Sequence, residues 1–372
     1  MRGRRLLVRT ALVVLSVLLI LGVLEVVLRL HPTLLGTTFA NGALSRYSTR
    51  RGGIYYHDAN LGMNFMIPNY SAVMYANGYT WHHRTDALGF RNDVLHVPAD
   101  IMLLGDSLVY GHGVEFADTI AANLERRTGR SVANLGRQGD CTFQEAYLLT
   151  AYLPVYRSRI VVHVFTANDI LDAYTYLSDA AMEQFIATPV GRITFPPRQD
   201  VGEALRAREE RLRRRGWWKR IEDDAYVVKM YRWMLYMSRD WRALVVAPAW
   251  AATRPREFDM PFPEYAENGR SLGWRYTEHA LAYMNHAAGR HGARFYTAST
   301  AVGRQEQNLR AIARRHGIAF IDMTPARTGA WGLPGDDHLS PLGARQFADV
   351  IAQRIERDAE RRIAGGAAGT PR

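Results

Sequence analysis

Short apolar runs alternate with amphipathic segments from residue 99 onward. The first run, 101–104, reads Ile-Met-Leu-Leu between polar turns, which is typical of a strand buried in a parallel sheet. Further runs of this kind occupy 132–134, 160–165, 294–298 and 318–322. Five strands that alternate with helices predict an α/β fold, a three-layer α/β/α sandwich built on a five-stranded parallel sheet.

The segments between these strands carry helix signals. Gly129 can end a first helix, and Thr142 with Glu145 forms the capping box of a second. Further helices are predicted from about 276 to 292 and before Gly317. Ser340 as N-cap, followed by a proline, opens the last helix.

The amino-terminal pattern is different. Four arginines among residues 1–9 precede an uncharged run from Thr10 to Leu24, which resumes after Glu25. This predicts a cytoplasmic basic tail (1–9) and a transmembrane signal-anchor helix (10–30), with the remaining chain on the extracytoplasmic, periplasmic side of the cell membrane. A cleaved signal peptide is the alternative, although no Ala-x-Ala site follows promptly.

The remaining segments have weaker patterns. Residues 31–98 show short alternations without a helical period and are expected to form membrane-proximal strands and loops. Residues 99–358 would form the main domain, interrupted by an insertion at 171–275. Residues 359–372 end in a Gly- and Ala-rich stretch and are expected to form a flexible tail.

Composition narrows the possible functions. The chain of 372 residues has 47 Lys and Arg against 36 Asp and Glu, giving a net charge of +11. Such a surplus suits nucleic acid, anionic lipid or an acidic polymer as a partner, but the predicted export argues against nucleic acid. The single cysteine, Cys141, excludes an intramolecular disulfide framework and multi-cysteine zinc motifs, and is expected to be a buried small hydrophobe.

Polar groups with catalytic potential follow several of the predicted strands. The first strand is followed by Gly105-Asp106-Ser107 and the second by 134–139, Asn-Leu-Gly-Arg-Gln-Gly. The third ends at Asn168-Asp169, and Asp336-Asp337-His338 follows the fifth. Because ligands bind at the carboxyl ends of strands in open α/β sheets, these groups are expected to share one edge.

These four blocks resemble those of the SGNH/GDSL hydrolase superfamily, over about residues 99–357. Leu104-Gly105-Asp106-Ser107, with the following 110–114, is very similar to the first block of the family. The third block departs from it, with Thr166 in place of the usual glycine, and so does the fourth, where Gly335 stands in place of an acid. The segment 85–92 also resembles one that precedes the hydrolase core in membrane-anchored members.

The resemblance implies a flavodoxin-like fold and assigns roles to several residues. Ser107 would be the nucleophile, His338 its general base, and Asp336 the acid that orients the imidazole. The oxyanion hole would consist of the backbone N–H groups of Ser107 and Gly136 and the side-chain amide of Asn168. No metal or organic cofactor is implied. Asp337 competes with Asp336 as the orienting acid.

Other residues with catalytic potential have simpler interpretations. Asp106 is expected to fix the turn before Ser107, and His82, His83 and His112 to be loop or stacking residues. A rival nucleophile, Ser271, lies in a Gly-x-Ser-x-Gly pentapeptide. No strand-like segment precedes it, so the pentapeptide is interpreted as the loop that enters a helix.

The insertion contains an arginine-rich segment beside Trp217-Trp218. Its basic residues are Arg206, Arg208, Arg211, Arg213, Arg214, Arg215, Lys219 and Arg220. One interpretation is a solvated helix with i,i+4 ion pairs. The other is a contact with a membrane surface or an anionic glycan.

Together these patterns predict a membrane-anchored, exported serine esterase that acts on ester-linked acyl groups of envelope glycans or lipids through an acyl-serine. An O-acyltransferase that passes the acyl group to a polysaccharide hydroxyl is the alternative. Water and a sugar hydroxyl are chemically alike as acceptors, so the sequence does not distinguish hydrolysis from transfer. A non-catalytic module that binds glycan or membrane on a degenerate hydrolase fold is the hypothesis from another class.

Overall fold

A computed structural model describes residues 2–245 and 268–367. The chain divides into two compact units, each made of separate segments. One unit comprises Met1–Tyr56, Met74–Thr80 and Asp200–Arg254; the other comprises His57–Val73, Trp81–Gln199 and Pro255–Arg372. Of the described residues predicted to form one insertion, 171–199 and 268–275 group with the sheet-containing unit and 200–245 with the amino-terminal unit.

The second unit contains the predicted five-stranded parallel sheet. The strands of the chain are β1 Tyr55–Asp58, β2 Met63–Met66, β3 Ser71–Ala76, β4 Tyr79–Arg84, β5 Ile101–Gly105, β6 Val132–Asn134, β7 Ile160–Phe165, β8 Arg294–Ser299 and β9 Ala319–Ile321. The sheet order is β6-β5-β7-β8-β9, with all neighbours parallel. Pairs β1-β2 and β3-β4 form two small sheets. The predicted strands and their order along the chain are confirmed.

Helices cover both faces of this sheet. The α-helices are α1 Arg2–Leu30, α2 Thr37–Leu44, α3 Ser107–Tyr110, α4 Ile120–Thr128, α5 Thr142–Tyr156, α6 Asp169–Tyr176, α7 Asp179–Ala187, α8 Val201–Arg214, α9 Trp217–Asp224, α10 Tyr226–Val245, α11 Leu272–Arg290, α12 Gly303–Arg315 and α13 Pro341–Ala367. Helices α4 and α13 pack together on one face, and α5 packs beside α11 on the other. The three-layer α/β/α arrangement is thus confirmed.

The core explains why the central strands are apolar throughout. On one face Ile101, Leu103 and Val162 are fully buried against α4 and α13. On the other face Phe165 packs on Trp274 of α11, with ring centroids 5.4 Å apart. A strand covered on both sides has no polar face, so its sequence is a continuous apolar run rather than an alternation.

Three sequence expectations differ from the structure. Residues 37–44 form a helix inside the segment expected to lack one, because Phe39, Ala40 and Ala43 present one buried face. The last helix continues to Ala367, so 359–367 are helical rather than part of a flexible tail; no proline or glycine interrupts them before Gly365. Helix α11 begins at Leu272 rather than near 276.

Helix α1 is the one described helix that is long and apolar enough to cross a membrane. The candidate span is Arg4–Leu30, 27 residues. At 1.5 Å per residue this is roughly 40 Å, more than the ~30 Å of a hydrocarbon core. The length therefore satisfies the requirement for a membrane span or a signal anchor.

Candidate active site

Ser107 lies where strand β5 ends and helix α3 begins. The carboxylate of Asp106 accepts a hydrogen bond from the backbone N–H of Leu108 at 3.0 Å and so caps this short helix, the turn-fixing role expected from the sequence. The hydroxyl of Ser107 also lies 3.4 Å from Asp106 Oδ2. Ser107 therefore lies at the carboxyl edge of the sheet, directly after β5, which has β6 on one side and β7 on the other.

The imidazole of His338 reaches Ser107 from the loop before α13. Its Nε2 lies 2.9 Å from Ser107 Oγ, although the two residues are 231 positions apart in the chain. The loop is fixed by a backbone hydrogen bond from Leu333 N to His338 O at 2.8 Å and by a bridge between Gly332 and Leu339. The fold thus brings together the two most separated residues of the predicted site.

Asp336 is the acid that contacts this imidazole. Its Oδ1 is hydrogen-bonded to His338 Nδ1 and also accepts from the backbone N–H of His338 at 3.0 Å. The side chain of Asp336 is 2% exposed, whereas Asp337 is exposed to solvent. With Nδ1 protonated toward Asp336, Nε2 is the acceptor that faces the serine hydroxyl. The geometry favours Asp336 over Asp337 as the orienting acid.

His112 packs directly on the imidazole of His338. The His112 ring stacks on that of His338, with centroids 3.8 Å apart and planes inclined by 16°. The ring centroid of Trp81 lies 4.8 Å from that of His112. Gln138 Nε2 donates to His112 Nδ1 at 2.8 Å, which places the ring proton of His112 on Nε2, 4.0 Å from Asp336 Oδ2. Burial, with the nearby His338, lowers the pKa of His112 to about 4. His112 is therefore neutral above pH 5.

A variant at this position separates stacking from hydrogen bonding. His112→Phe keeps an aromatic face on His338 but removes the N–H near Asp336 and the acceptor for Gln138. We expect kcat for ester hydrolysis to fall about ten-fold, the usual effect of losing one polar contact near a charged group. His82→Phe is the matched control, because the His82 ring is 77% exposed and pairs with Glu115. Equal rates for wild type and His112→Phe would contradict a role for the ring in positioning.

Arg91 fixes the loop that carries His112. Its guanidinium is 1% exposed and donates to the carbonyls of Tyr110, Gly111, His82 and Val114. Four carbonyls satisfied by one buried side chain leave the loop little freedom. The segment 85–92 therefore supports the loop that carries His112.

The same segment reaches the second block. Asp86 accepts a hydrogen bond from Asn92 at 2.9 Å, and Asn92 Oδ1 accepts from the backbone N–H of Asn134, also at 2.9 Å. Asn134 Oδ1 in turn accepts from the backbone N–H of Gly136 at 2.9 Å. This chain of contacts fixes the loop that follows β6.

Gly136 lies against the backbone of helix α3. A Cβ at this position would be 2.2 Å from Tyr110 N and 2.6 Å from Val109 C, so any side chain would displace the helix that presents Ser107. Because the N–H of Gly136 already donates to Asn134, an oxyanion would have to share that hydrogen. The predicted role of Gly136 as an oxyanion donor stays a prediction.

Asn168 lies close to the nucleophile turn. Its Nδ2 donates to Asp172 Oδ2 at 2.6 Å and lies 3.4 Å from Asp106 Oδ2. Burial raises the pKa of Asp172 to about 6, and the hydrogen bond from Asn168 opposes that rise. The carboxamide is therefore oriented by two acids beside Ser107, and its donation to an oxyanion remains a prediction.

The other sequence candidates have structural contacts. Ser271 caps helix α11, its Oγ accepting from Trp274 N, as expected for a loop that enters a helix. His82 and His83 lie in strand β4 rather than in a loop, and His83 stacks on Tyr110. Cys141 is fully buried, as expected.

Two clusters among the described residues place potential metal ligands within 4.8 Å of one another. One is His112, Asp336 and His338, in which both nitrogens of His338 already contact Ser107 and Asp336, so a metal there would displace the acid–base pair. The other is Glu145, His163 and Asp169, in which His163 Nε2 lies 2.7 Å from Glu145 Oε2. Burial raises the pKa of Asp169 well above its ordinary value.

Comparison with known proteins gives distant structural similarity. No known family model and no curated protein sequence matches the chain. Similar solved structures include TesA, at 11% identity over 69% of this chain and 98% of that chain, with a TM-score of 0.39. A GDSL-like lipase from Bacteroides thetaiotaomicron is 12% identical over 69% of this chain and 88% of that chain, with a TM-score of 0.35.

A carbohydrate esterase family 2 enzyme with a carbohydrate binding domain, from Corynascus thermopiles (Myceliophthora fergusii), is 11% identical. The match covers 71% of this chain and 67% of that chain, with a TM-score of 0.36. At such low identity these similarities say nothing about substrate, so the function is inferred from the distances within the site.

Proposed function

We propose that the protein is a serine esterase of the SGNH/GDSL type that forms an acyl-enzyme on Ser107. The observation that carries the proposal is the 2.9 Å contact between Ser107 Oγ and His338 Nε2, with His338 Nδ1 bound to the buried Asp336. A serine hydroxyl is a poor nucleophile at neutral pH, and an adjacent oriented imidazole is what activates it.

The first half-reaction forms the acyl-serine. Ser107 Oγ attacks the ester carbonyl carbon while its proton passes to His338 Nε2, and Asp336 stabilises the imidazolium that results. The tetrahedral intermediate then expels the alcohol oxygen, which takes the proton from His338. Donors near Ser107, among them the amide of Asn168, would stabilise the oxyanion; one such donor is worth about 10²–10³ in rate.

The second half-reaction releases the acyl group. A water molecule attacks the acyl-serine carbonyl, gives its proton to His338 Nε2, and Ser107 leaves with that proton. A carbohydrate hydroxyl would follow the same proton path and give O-acyl transfer instead. Product analysis with and without a sugar acceptor separates the two: acyl sugar indicates transfer, and free acid alone indicates hydrolysis.

We further propose that α1 retains the enzyme at the extracytoplasmic face of the cell membrane, where acylated envelope glycans or lipids would be its substrates. The arginines before α1 favour a cytoplasmic amino terminus. Leu28, close to the end of α1, is fully buried in a cluster with Phe39 and Ala43 of α2. Cleavage as a signal peptide would expose this cluster, which supports retention of the helix.

A fluorophosphonate probe tests for an activated serine. In membranes that contain the full chain, we expect wild type to be labelled, Ser107→Ala to be unlabelled, and Ser271→Ala to be labelled like wild type. Ser271→Ala is the matched control because it removes the rival serine and a helix cap, at a cost of about 1 kcal/mol in stability. Unlabelled wild type would favour the non-catalytic binding module. Labelling that is lost only in Ser271→Ala would identify Ser271 as the nucleophile instead of Ser107.

A further inference from the structure

Helix α9 presents aromatic side chains to solvent. Trp217 is 72% exposed and Trp218 is 52% exposed, and their rings contact each other edge to face with centroids 5.6 Å apart. Ile221, one turn further on, is 37% exposed. Exposed tryptophans are rarely placed together on a surface that faces only water. The catalytic site does not use them.

This helix ends beside the outer end of α1. The Arg29 guanidinium donates to the backbone carbonyl of Asp224, the last residue of α9, at 2.8 Å. Directly after α9, the backbone N–H of Val227 donates to Glu25 at 2.8 Å. Trp217 begins this helix of eight residues, so roughly 10 Å of helix axis separates Trp217 from Asp224, whose carbonyl Arg29 contacts. The tryptophans are therefore within reach of the headgroup region that would flank a span formed by α1.

The surrounding charge is positive. Residues 201–232 contain ten basic and six acidic side chains. In the preceding helix, Arg213 and Arg214 pair with Glu209 and Glu210, as the solvated-helix interpretation expected, yet both arginines stay 78–79% exposed. Tryptophan beside exposed arginine is the combination found where a helix lies at an anionic lipid surface.

We propose that the Trp217–Ile221 face of α9 lies in the headgroup region of the membrane that α1 spans, with the neighbouring arginines on anionic phospholipid headgroups. The proposal rests on the anchoring role proposed for α1 and is independent of the chemistry at Ser107. It assigns the arginine- and tryptophan-rich segment to the membrane surface rather than to a soluble glycan.

A site-specific fluorescent probe tests this contact. The only native cysteine is buried, so a Trp217→Cys variant of the full chain can be labelled selectively with a nitrobenzoxadiazole dye. The labelled chain is reconstituted into phosphatidylglycerol vesicles that contain headgroup nitroxide lipids. Val302→Cys, whose native side chain is 63% exposed in the other unit, is the matched control. We expect quenching at 217 to exceed that at 302 about two-fold or more, and to weaken in phosphatidylcholine vesicles.

The results of this experiment and of carbonate extraction distinguish the membrane contact of α9 from the anchoring role of α1. A chain that resists carbonate extraction but shows equal quenching at both positions would overturn the membrane contact of α9 while leaving α1 as an anchor. Extraction by carbonate would remove the anchor, and the proposal with it. A change in the probe at 217 on adding soluble polyanionic polysaccharide, without lipid quenching, would assign the face to glycan instead. None of these results depends on ester hydrolysis.

Discussion

Replacing His338 by alanine is expected to lower kcat for hydrolysis of p-nitrophenyl acetate about 10⁵-fold, because Ser107 loses the imidazole that accepts its proton. The residual rate would come from substrate binding and oxyanion stabilisation alone. Because His338 lies at the rim of the site with its side chain 22% exposed, the variant should fold. Thermal unfolding followed by circular dichroism checks this.

The adjacent acids provide the matched comparison. Asp336→Asn should reduce kcat about 10⁴-fold, since an amide at this position no longer holds the imidazole in the tautomer that accepts from serine. Asp337→Asn removes the same charge one residue away, on an exposed side chain, and should leave kcat within about two-fold of wild type. Similar losses in both variants would mean that the net charge of the loop matters rather than the Asp336–His338 contact.

Gly136→Ala is expected to be the most damaging single-methyl change in the site. Its Cβ would meet backbone atoms of Tyr110 and Val109 at 2.2 Å and 2.6 Å, and backbone cannot rotate away as a side chain can. Overpacking of this kind costs about 1–3 kcal/mol or more. We expect a lower free energy of unfolding in urea and loss of activity, because α3 and Ser107 shift together.

A second glycine is the control for this prediction. Gly289 lies in α11, and a Cβ there would have nothing within 4 Å. Gly289→Ala should therefore raise the free energy of unfolding by up to about 1 kcal/mol, through lower entropy of the unfolded chain, and leave kcat unchanged. Unfolding energies that fall equally in both variants would show that close packing at Gly136 is not the cause.

The strand order explains why separated sequence blocks meet. Strand β6 lies on one side of β5 and strand β7 on the other. The connection from β5 to β6 and the connection from β6 to β7 therefore run in opposite directions across the sheet. In open α/β sheets ligands bind at such a switch point, and Ser107 follows the carboxyl end of β5 there. The connection after the edge strand β9 then carries His338 back across this edge to the serine.

The strands and catalytic candidates were predictable because their signals are local. Apolar runs identify buried strands, and the residues around Ser107 and His338 form short motifs next to strand ends. The stacking of His112 on His338 was not predictable, because it depends on two loops 226 residues apart that meet only in the fold. The only sequence signal was the position of His112 close to the Gly-Asp-Ser motif. It predicted a loop or stacking residue but did not identify the ring on which His112 stacks.

Other features depended on tertiary packing. The hydrogen bond from the backbone N–H of Gly136 to the side-chain oxygen of Asn134 was not predicted, and the role of Gly136 as an oxyanion donor stays a prediction. The supporting role of Arg91 depends on four backbone carbonyls in two separate segments. The hydrophobic pattern of the sequence does not predict such contacts. Helix α2 is eight residues long, too short for its apolar period to stand out against strand-like neighbours.

The most direct test of the account is to trap the acyl-enzyme. The full chain is mixed with p-nitrophenyl acetate, quenched in acid within the first turnover, digested and examined by peptide mass spectrometry. We expect one acetyl group on the peptide that contains Ser107, and none in His338→Ala quenched at the same time. An acetyl group on any other side chain, or nitrophenol release with Ser107 never acylated, would contradict it.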